Sequence, residues 1–321
     1  MNPDPRVCVV GSSMHDQITR AARLPNPGET LVGGSHVTGF GGKGSNQAVM
    51  AARLGASVTM VVKLGQDAIG KETARHYTEE NIHTEFVCFD DRLSSGVAPI
   101  WVDEKTGQNS ILIVPGANQA LTPQEVRRAT APLQSAQVVV CQMEIPMECN
   151  LEAFRIAKEF PSVLTILNPA PSGPVSDELL RLTDLLAPNE SEAAAMTGLS
   201  VSNLADAERA ARALQARGAR TVLITLGAKG ALAVTYDDEV IHVAAPMVKP
   251  VDTTGAGDCF IGSLAYFLAA GFGLRAAMEK ACVIASRSVT AKGTQTSFPR
   301  KDELDPKLFA ALPEPAVRLT A

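Results

Sequence analysis

The sequence DTTGAGD at Asp252–Asp258 places an aspartate at each end of a glycine-rich turn, directly before the apolar helical pattern CFIGSLAYFLAAG. Two glycines allow successive backbone N–H groups, together with the first free amides of the helix, to point at one spot, which then binds anions. These N–H groups would form an anion hole. Asp258, at its mouth, could accept a proton from a hydroxyl group. The alternative role for Asp258 is that of a helix cap.

A second glycine-rich turn, GFGGKG at Gly39–Gly44, precedes a helical segment that begins at Ser45. Its spacing matches the dinucleotide-binding fingerprint G-x-G-x-x-G, but the preceding segment carries glycine and polar residues where a buried first strand should be continuously apolar. A Walker A loop is also excluded, because Lys43 is followed by glycine and not by serine or threonine. Close backbone approach at Gly42, the ammonium group of Lys43 and the amide of Asn46 suit a polyhydroxylated ligand instead.

Three further polar clusters follow predicted strands: Asp16 in GSSMHD, Asn189–Glu192 and Thr225–Gly230. Each cluster alone is more typical of a solvated loop than of a site. Together they lie at the carboxyl ends of predicted parallel strands, where open α/β sheets bind their ligands. We therefore expect them to converge on one cleft, with Asp16 holding sugar hydroxyl groups through both carboxylate oxygens.

The elements that must position these groups alternate between buried strands and amphipathic helices. Short apolar segments predict strands, and apolar residues at three- and four-residue spacing predict helices. Strands that alternate with helices pair in parallel through right-handed crossovers, so the predicted fold class is α/β, a doubly wound and mostly parallel sheet flanked by helices. The predicted strands are Val7–Val10, Thr59–Val62, Val138–Cys141, Val163–Leu167, Leu185–Ala187 and Thr221–Leu226; the predicted helices are Ser45–Leu54, Lys71–Asn81, Pro123–Ala131, Leu151–Glu159, Ser191–Thr197 and Leu204–Arg217.

Two glycine-punctuated β-rich stretches, Glu29–Phe40 and Gly96–Val114, interrupt this alternation, and the second has hairpin character around Lys105–Gly107. They could pair as a small β-sheet lid that belongs to a single core. A lid with one face against its ligand exposes the other face, so either that face is polar or a second copy covers it. We expect a homodimer formed through the lid. The predicted division is a core of residues 1–16, 41–95 and 115–321 and a lid of residues 17–40 and 96–114.

The charge balance of 29 Lys and Arg residues against 34 Asp and Glu residues gives the 321-residue chain a formal net charge of −5. Without a run of basic residues, it lacks the cationic footprint of a nucleic-acid-binding protein. The longest apolar run, Leu264–Ala270, is far too short to cross a bilayer, so we expect no membrane partner and a cytoplasmic location. Six scattered cysteines without C-x-x-C indicate buried thiols and no zinc site, and none of the five dispersed histidines is assigned a catalytic role.

Taken together, the motifs resemble the ribokinase branch of the PfkB carbohydrate kinase family. The resemblance covers nearly the whole chain, and the two glycine-rich signatures in this order and spacing are highly specific. The family is similar in fold to the pattern described above, an α/β core with a small β lid that often forms a dimer contact. The motifs are GSSMHD at 11–16, PGET at 27–30, GFGGKGSNQA at 39–48, AARLGA at 51–56, NPAP at 168–171, PNESEA at 188–193, TLGAKG at 225–230, DTTGAGD at 252–258 and KGTQTSFP at 292–299.

The resemblance implies ATP-dependent phosphorylation of D-ribose at O5, giving D-ribose 5-phosphate and ADP. In this reading Asp258 is the general base that deprotonates the ribose hydroxyl, and Gly255, Ala256 and Gly257 form the anion hole. Phosphoryl transfer depends on alignment and electrostatic stabilisation, and a lid that excludes water suits it. The sugar would be bound by Asp16, Gly42, Lys43, Asn46, Glu144 and Asp258.

The same resemblance implies positions for ATP and for two cations. ATP would be bound by Asn189, Thr225, Leu226, Gly227, Ala228, Lys229, Gly230, Gly257 and Cys282. Glu192 lies in the motif that acts on Mg²⁺ through bound water. A monovalent cation, usually K⁺, would be lined by Asp252, Thr254, Ser288, Ala291, Gly293 and Ser297, mostly through carbonyl oxygens, and would shape the anion hole without touching the transferred group.

Two positions depart from the family pattern. Met14 stands where an asparagine usually contacts the sugar, and Cys282 stands where asparagine or histidine often lies beside adenine. Ribose remains the first candidate substrate, with another pentose or a ketohexose second. The alternatives are a sibling kinase for fructose or adenosine, a non-catalytic sugar or nucleotide sensor, and a nicotinamide-dependent oxidoreductase that rests on GFGGKG alone.

Overall fold

The computed structural model describes residues 4–106 and 108–310. Within these ranges the chain forms two β-sheets and a set of α-helices joined by short 3₁₀ turns. The strands are β1 (Arg6–Val10), β2 (Met14–Ala21), β3 (Ser35–Gly41), β4 (Ser57–Gly65), β5 (Ile82–Asp90), β6 (Gly96–Asp103), β7 (Asn109–Ile111), β8 (Val138–Gln142), β9 (Leu164–Asn168), β10 (Leu185–Leu186), β11 (Thr221–Thr225), β12 (Ala231–Val234) and β13 (Val240–Val243). The helices are α1 (Lys43–Arg53), α2 (Ala68–Glu79), α3 (Pro123–Arg128), α4 (Thr130–Ser135), α5 (Met147–Lys158), α6 (Asp177–Arg181), α7 (Glu190–Thr197), α8 (Leu204–Ala216), α9 (Ala256–Ala269) and α10 (Leu274–Ser288).

The larger sheet has the strand order β13-β12-β11-β10-β9-β8-β1-β4-β5. Neighbouring strands from β11 to β5 pair in parallel, whereas β12 and β13 add an antiparallel edge. The predicted fold class, an α/β protein with a mostly parallel sheet flanked by helices, is confirmed. Among the helices of the described residues, none combines the length and the apolar composition that crossing a membrane requires.

The sequence of β1 shows why the large sheet is covered on both faces. Val7 and Val9 point into one apolar cluster, which includes residues of α1, α9 and α10. Cys8 and Val10 point into a second cluster, which includes residues of α5 and α8. Because successive side chains of a strand face opposite sides, a strand that is apolar at every position must be buried on both faces. The core therefore lies in two layers, one on each side of the sheet.

The smaller sheet has the strand order β3-β2-β6-β7, with β2 parallel to β6 and antiparallel to β3. An apolar row crosses all four strands, since Ile18 pairs with both Val37 and Ile100, and Ile100 pairs with Ile111. Val37 and Ile111 are 58% and 53% exposed. By the two-residue alternation of β2, this row lies on the same face as Asp16.

The structure differs from the sequence-based elements at three places. The segment predicted as one helix, Pro123–Ala131, forms two helices, α3 and α4, because Pro132 has no N–H to continue a helix and is tolerated only in the first turn of a new one. Strand β2 begins at Met14, so Asp16 lies on the small sheet. The strands β5, β12 and β13 and the helices α6 and α10 were not predicted. In the predicted hairpin, Asp103 accepts hydrogen bonds from the N–H groups of Lys105 and Thr106, and Gly107 lies outside the described residues.

Candidate active site

The turn at 252–258 leads into the first turn of α9, whose N-cap, Gly255, has a φ of +76°. A side chain is strained at this φ, and a Cβ would also collide with the methyl group of Thr294, so glycine is required here. The N–H of Ala256 donates to the carbonyl of Thr253 at 3.2 Å. Within the described residues the N–H groups of Gly255 and Gly257 have no acceptor. Two N–H donors of the predicted anion hole are therefore free to bind an anion.

The carboxylate of Asp258 is buried and does not cap α9. Its Oδ2 accepts a hydrogen bond from Nδ2 of Asn46 at 2.8 Å, and its Oδ1 accepts one from Nε2 of Gln47 at 3.0 Å. Both donors come from the first turns of α1, which packs against α9. The two glycine-rich turns predicted from the sequence therefore meet, and the second one positions the carboxylate of the first.

Asp16, Lys43 and Glu144 lie close enough to Asp258 to interact with it or with each other electrostatically. Burial, and then the negative charges of Glu144 and Asp258, raise the pKa of Asp16 to about 7. Burial opposes the charge on Lys43, but the carboxylates of Asp258, Glu144 and Glu192 outweigh it and raise its pKa. Glu144 accepts hydrogen bonds from the Ser12 hydroxyl group and from the N–H of Lys43. The carboxylates can accept hydrogen bonds from several sugar hydroxyl groups, while the ammonium group of Lys43 balances part of their charge.

The GFGGKG turn approaches these groups through its backbone. The carboxylate of Asp16 packs directly against Gly41, where a Cβ would overlap both oxygens. Gly42 has a φ of +87°, and a Cβ there would collide with the backbone of Ser13 and Met14. Strand β3, which precedes the turn, belongs to the small sheet, so the strand-turn-helix unit of a dinucleotide-binding site is absent from this part of the described chain.

Two cavities meet at the start of α9. One, of about 190 Å³, is lined by Lys43, Asp258 and the Gly255–Gly257 turn. The other, of about 480 Å³, is mostly apolar and lies between the loop after β11, the segment 245–250, α9 and α10. Thr225, Thr253, Ala256 and Gly257 line both cavities. The predicted ATP-binding residues that line the larger cavity are Thr225, Gly227, Ala228, Gly230, Gly257 and Cys282.

The other four residues predicted to bind ATP or Mg²⁺ do not line the larger cavity. Leu226 is buried in the apolar core, and Lys229 donates to the carbonyl of Ser202. Asn189 and Glu192 form a reciprocal capping box at the start of α7 and line the smaller cavity. Burial raises the pKa of Glu192, with Lys43 opposing and Asp258 adding to the rise. One carboxylate at the cleft fits Mg²⁺, which keeps most of its waters and is commonly held by one or two carboxylates and substrate phosphates.

The predicted monovalent-cation residues form two adjoining loops beside the anion turn. Asp252 joins them, accepting hydrogen bonds at 3.0 Å from the N–H groups of Thr254 and Gly293. Burial opposes its charge, but these hydrogen bonds and the nearby Arg20 outweigh it and lower the pKa of Asp252. Hydrogen bonds within the second loop involve three more of the predicted residues. The N–H of Ala291 donates to the carbonyl of Ser288, and the Ser297 hydroxyl donates to the carbonyl of Thr294. The ionised carboxylate of Asp252 is an oxygen ligand of the kind that suits a hard cation.

Four buried amide side chains around Asp258 were not predicted from the sequence: Gln47, Gln142, Asn168 and Gln295. Gln47 touches Asp258, and the other three touch Gln47 or Asn46. Three of them stand inside motifs that the sequence displays, GFGGKGSNQA, NPAP and KGTQTSFP. Met14, at the position where an asparagine usually contacts the sugar, is buried, with its sulfur 3.8 Å from the amide nitrogen of Asn118.

Residues 4–301 match the sequence model of a family described as pfkB family carbohydrate kinase. The chain belongs to this family. As a pfkB family member it is 41% identical to the ribokinase of Mus musculus over 307 residues, which cover 94% of each chain. It is 40% identical to the deoxyribokinase of Salmonella typhi over 300 residues, which cover 93% of this chain and 97% of that one.

Solved structures agree with this pfkB family assignment. The ribokinase of Arabidopsis thaliana, solved in complex with ribose and ATP, superposes with a TM-score of 0.87 at 31% identity, covering 97% of this chain and all of the other. A ribokinase of Thermotoga maritima superposes with a TM-score of 0.82 at 33% identity, covering 92% of this chain and 97% of the other. The superposition on the Arabidopsis thaliana structure covers 97% of this chain and so extends over both sheets.

Proposed function

We propose that the protein transfers the γ-phosphoryl group of ATP to O5 of D-ribose, giving D-ribose 5-phosphate and ADP. The observation that carries this proposal is the buried carboxylate of Asp258, held by two amide donors in the wall of the smaller cavity, next to free N–H groups at the start of α9. A base beside an anion hole suits proton removal from a hydroxyl group as a phosphoryl group arrives. The ribokinases of mouse and Arabidopsis thaliana support ribose as the acceptor.

The sugar would lie among Asp16, Gly42, Lys43, Asn46 and Glu144, with its O5 at Asp258. Asp16 and Glu144 would accept hydrogen bonds from sugar hydroxyl groups, because ionised carboxylates are strong acceptors. Asn46 keeps its Nδ2 on Asp258, so the sugar would meet this side chain beside that bond. The polar cavity and its charges favour a neutral polyhydroxylated ligand over an anionic one.

ATP would place its base and ribose in the larger, apolar cavity and its phosphates at the start of α9. The cavity wall includes Phe260, Cys282 and Val289, which offer apolar contact to a nucleobase. The N–H groups of Gly255 and Gly257 would meet the transferred phosphoryl group. Glu192 would hold Mg²⁺ through water, and Mg²⁺ would neutralise charge on the phosphates. A K⁺ ion between the loops that Asp252 joins would fix the shape of the anion turn.

The small sheet would act as a lid, with the predicted lid residues 17–40 and 96–114, and would also form a homodimer. Its apolar row at Ile18, Val37, Ile100 and Ile111 lies on the face of Asp16, and not on the opposite face where the sequence led us to expect a partner, and it is partly exposed. An apolar row of this kind is commonly covered by a partner, and we infer a second copy of the chain. We also place the protein in the cytoplasm, because all six cysteines are buried free thiols, which suit a reducing compartment.

The test is an ADP-release assay with D-ribose, 2-deoxy-D-ribose, D-fructose and adenosine, each measured in K⁺ and in Na⁺. We expect the highest kcat/KM with ribose and lower rates in Na⁺. The deoxyribose arm is needed because Met14 offers no polar contact and a deoxyribokinase is nearly as similar as a ribokinase. A higher kcat/KM with another acceptor would indicate a sibling kinase for that acceptor. Turnover with none of the four acceptors would contradict the proposal. Equal rates in both salts would contradict the cation site.

A further inference from the structure

Two buried glutamines, Gln142 and Gln295, reach the base Asp258 through other amides. We propose that they are positioning residues, which fix the orientation of the Gln47 and Asn46 amides so that both point an N–H group at the carboxylate. The inference rests on the proposed function, since it concerns the base of that reaction. It assigns roles to residues on β8 and on the loop after α10, both outside the predicted sugar and nucleotide sites.

The first chain of hydrogen bonds runs from Gln295 through Asn46 to Asp258. Nε2 of Gln295 donates to Oδ1 of Asn46 at 3.0 Å and to the Ser45 hydroxyl oxygen at 3.0 Å. With its oxygen occupied, Asn46 has only its nitrogen left for Asp258, which it meets at 2.8 Å. The other end of Gln295, Oε1, lies 2.8 Å from Nε2 of His76. The side chains of Gln295, Asn46 and Asp258 are all buried, and the low local dielectric strengthens the hydrogen bonds between them.

The second chain runs through Gln47. A backbone carbonyl can only accept, so the bond from Nδ2 of Asn168 to the Ala187 carbonyl at 2.9 Å turns Oδ1 of Asn168 towards Gln47. Nε2 of Gln47 donates to this oxygen at 3.1 Å and to Asp258 at 3.0 Å. Its Oε1 then faces Gln142, whose Nε2 donates to it at 2.7 Å. Each carboxylate oxygen of Asp258 therefore has its own amide, and each amide has its own outer partner.

Reversing either inner amide would place an oxygen against an oxygen of the carboxylate. The repulsion would turn the carboxylate out of line with the sugar hydroxyl, and a shift of about 1 Å can cost about 100-fold in rate. Gln295 also connects the base to two other regions. It lies in the loop that carries the predicted cation residues, and His76, its partner, stacks on Phe40 of β3 with ring centroids 3.9 Å apart.

The discriminating variant is Gln295→Glu, which is almost the same size but cannot donate to Asn46. We expect Asn46 to reverse, and kcat to fall by about 10- to 100-fold, the size of effect that a misplaced catalytic group produces. The dissociation constants of an ATP analogue and of the sugar, measured by calorimetry, should change less than about three-fold, because catalysis and not ground-state binding uses the alignment. Gln295→Leu, which leaves Asn46 free in either orientation, should lose less kcat although it changes shape more.

The matched control is Gln215→Glu on α8. Nε2 of Gln215 donates to the carbonyls of Arg220, Val234 and Thr235, far from the site, so this variant should unfold at a lower temperature but keep its kcat. Should Gln295→Glu fail to fold, Gln142→Glu makes the same reversal at Gln47 and decides the question. A kcat within two-fold of the wild-type value in the folded variant would overturn the positioning role while leaving the proposed function intact. A wild-type protein that phosphorylates no sugar would contradict both.

Discussion

The two ends of the cleft, the proposed sugar end and the proposed nucleotide end, differ in polarity. The sugar end gathers three acidic side chains and one lysine around buried amides, and burial there raises the pKa of Asp16 to about 7. The nucleotide end is a larger cavity walled by alanine, proline, valine and phenylalanine, with a neutral thiol at Cys282. Charges and hydrogen bonds depend steeply on position, whereas apolar contact depends mainly on area and volume. We therefore expect changes at the sugar end to alter catalysis or sugar binding strongly, and changes at the nucleotide end to alter only the affinity for ATP, and by less.

The largest effect that this comparison predicts belongs to Asp258→Asn. The amide keeps the size of the side chain but cannot accept a proton, so kcat should fall by about 10²- to 10⁴-fold, the usual contribution of a general base. The KM values for ATP and sugar should stay within a few-fold, because only the transition state uses the base. Initial-rate kinetics and calorimetry measure both quantities. Near-normal turnover would remove Asp258 from the mechanism and with it the contrast between the two ends.

The second-largest effect is expected for Asp16→Asn, and this effect should depend on pH. In the folded protein the pKa of Asp16 is raised from 3.8 to about 7, so the folded state binds this proton more tightly than the unfolded chain does. The free energy of unfolding should therefore fall as the pH rises from about 4 to about 7. Asparagine does not titrate, so in the variant this decrease in the free energy of unfolding is absent. The variant should therefore melt at a higher temperature than the wild type at pH 8 and show little gain at pH 4.

The same variant should bind sugar more weakly. A hydrogen bond to a charged group contributes about 1.5–3 kcal/mol, so we expect the KM for ribose to rise about 10- to 100-fold at pH 8. In the wild type the KM should fall as the pH rises through about 7, when Asp16 becomes charged. That dependence should disappear in the variant. A variant that keeps both the wild-type KM and its pH profile would place Asp16 outside the sugar site.

The same contrast separates the features that the sequence predicts from those that it does not. The fold class and the convergence of Asp258 and Lys43 on one cavity follow from local patterns, namely buried strands, glycine-rich turns and helix starts. The amides of Gln142, Asn168 and Gln295 do not, because each is a single polar residue whose partner is 95 to 249 positions away along the chain. No local period marks such a residue. The same holds for β12 and β13, which form an antiparallel edge that the strand-helix alternation does not predict.

The smallest effect is expected at Cys282, on the wall of the nucleotide cavity. Burial raises the pKa of its thiol to about 11, so at neutral pH it is an uncharged surface that contributes shape alone. Cys282→Leu adds volume to the cavity wall, and overpacking of about 1 kcal/mol would raise the KM for ATP about five-fold. At saturating ATP the kcat should not change, since the lost contact is the same in ground and transition states. Cys282→Ser, which keeps the volume, is the matched control and should retain the wild-type KM. A fall in kcat as well as in ATP affinity in the leucine variant would show that the two ends of the cleft are coupled. The separation between catalysis, which depends on charge, and ATP affinity, which depends on shape, would then be wrong.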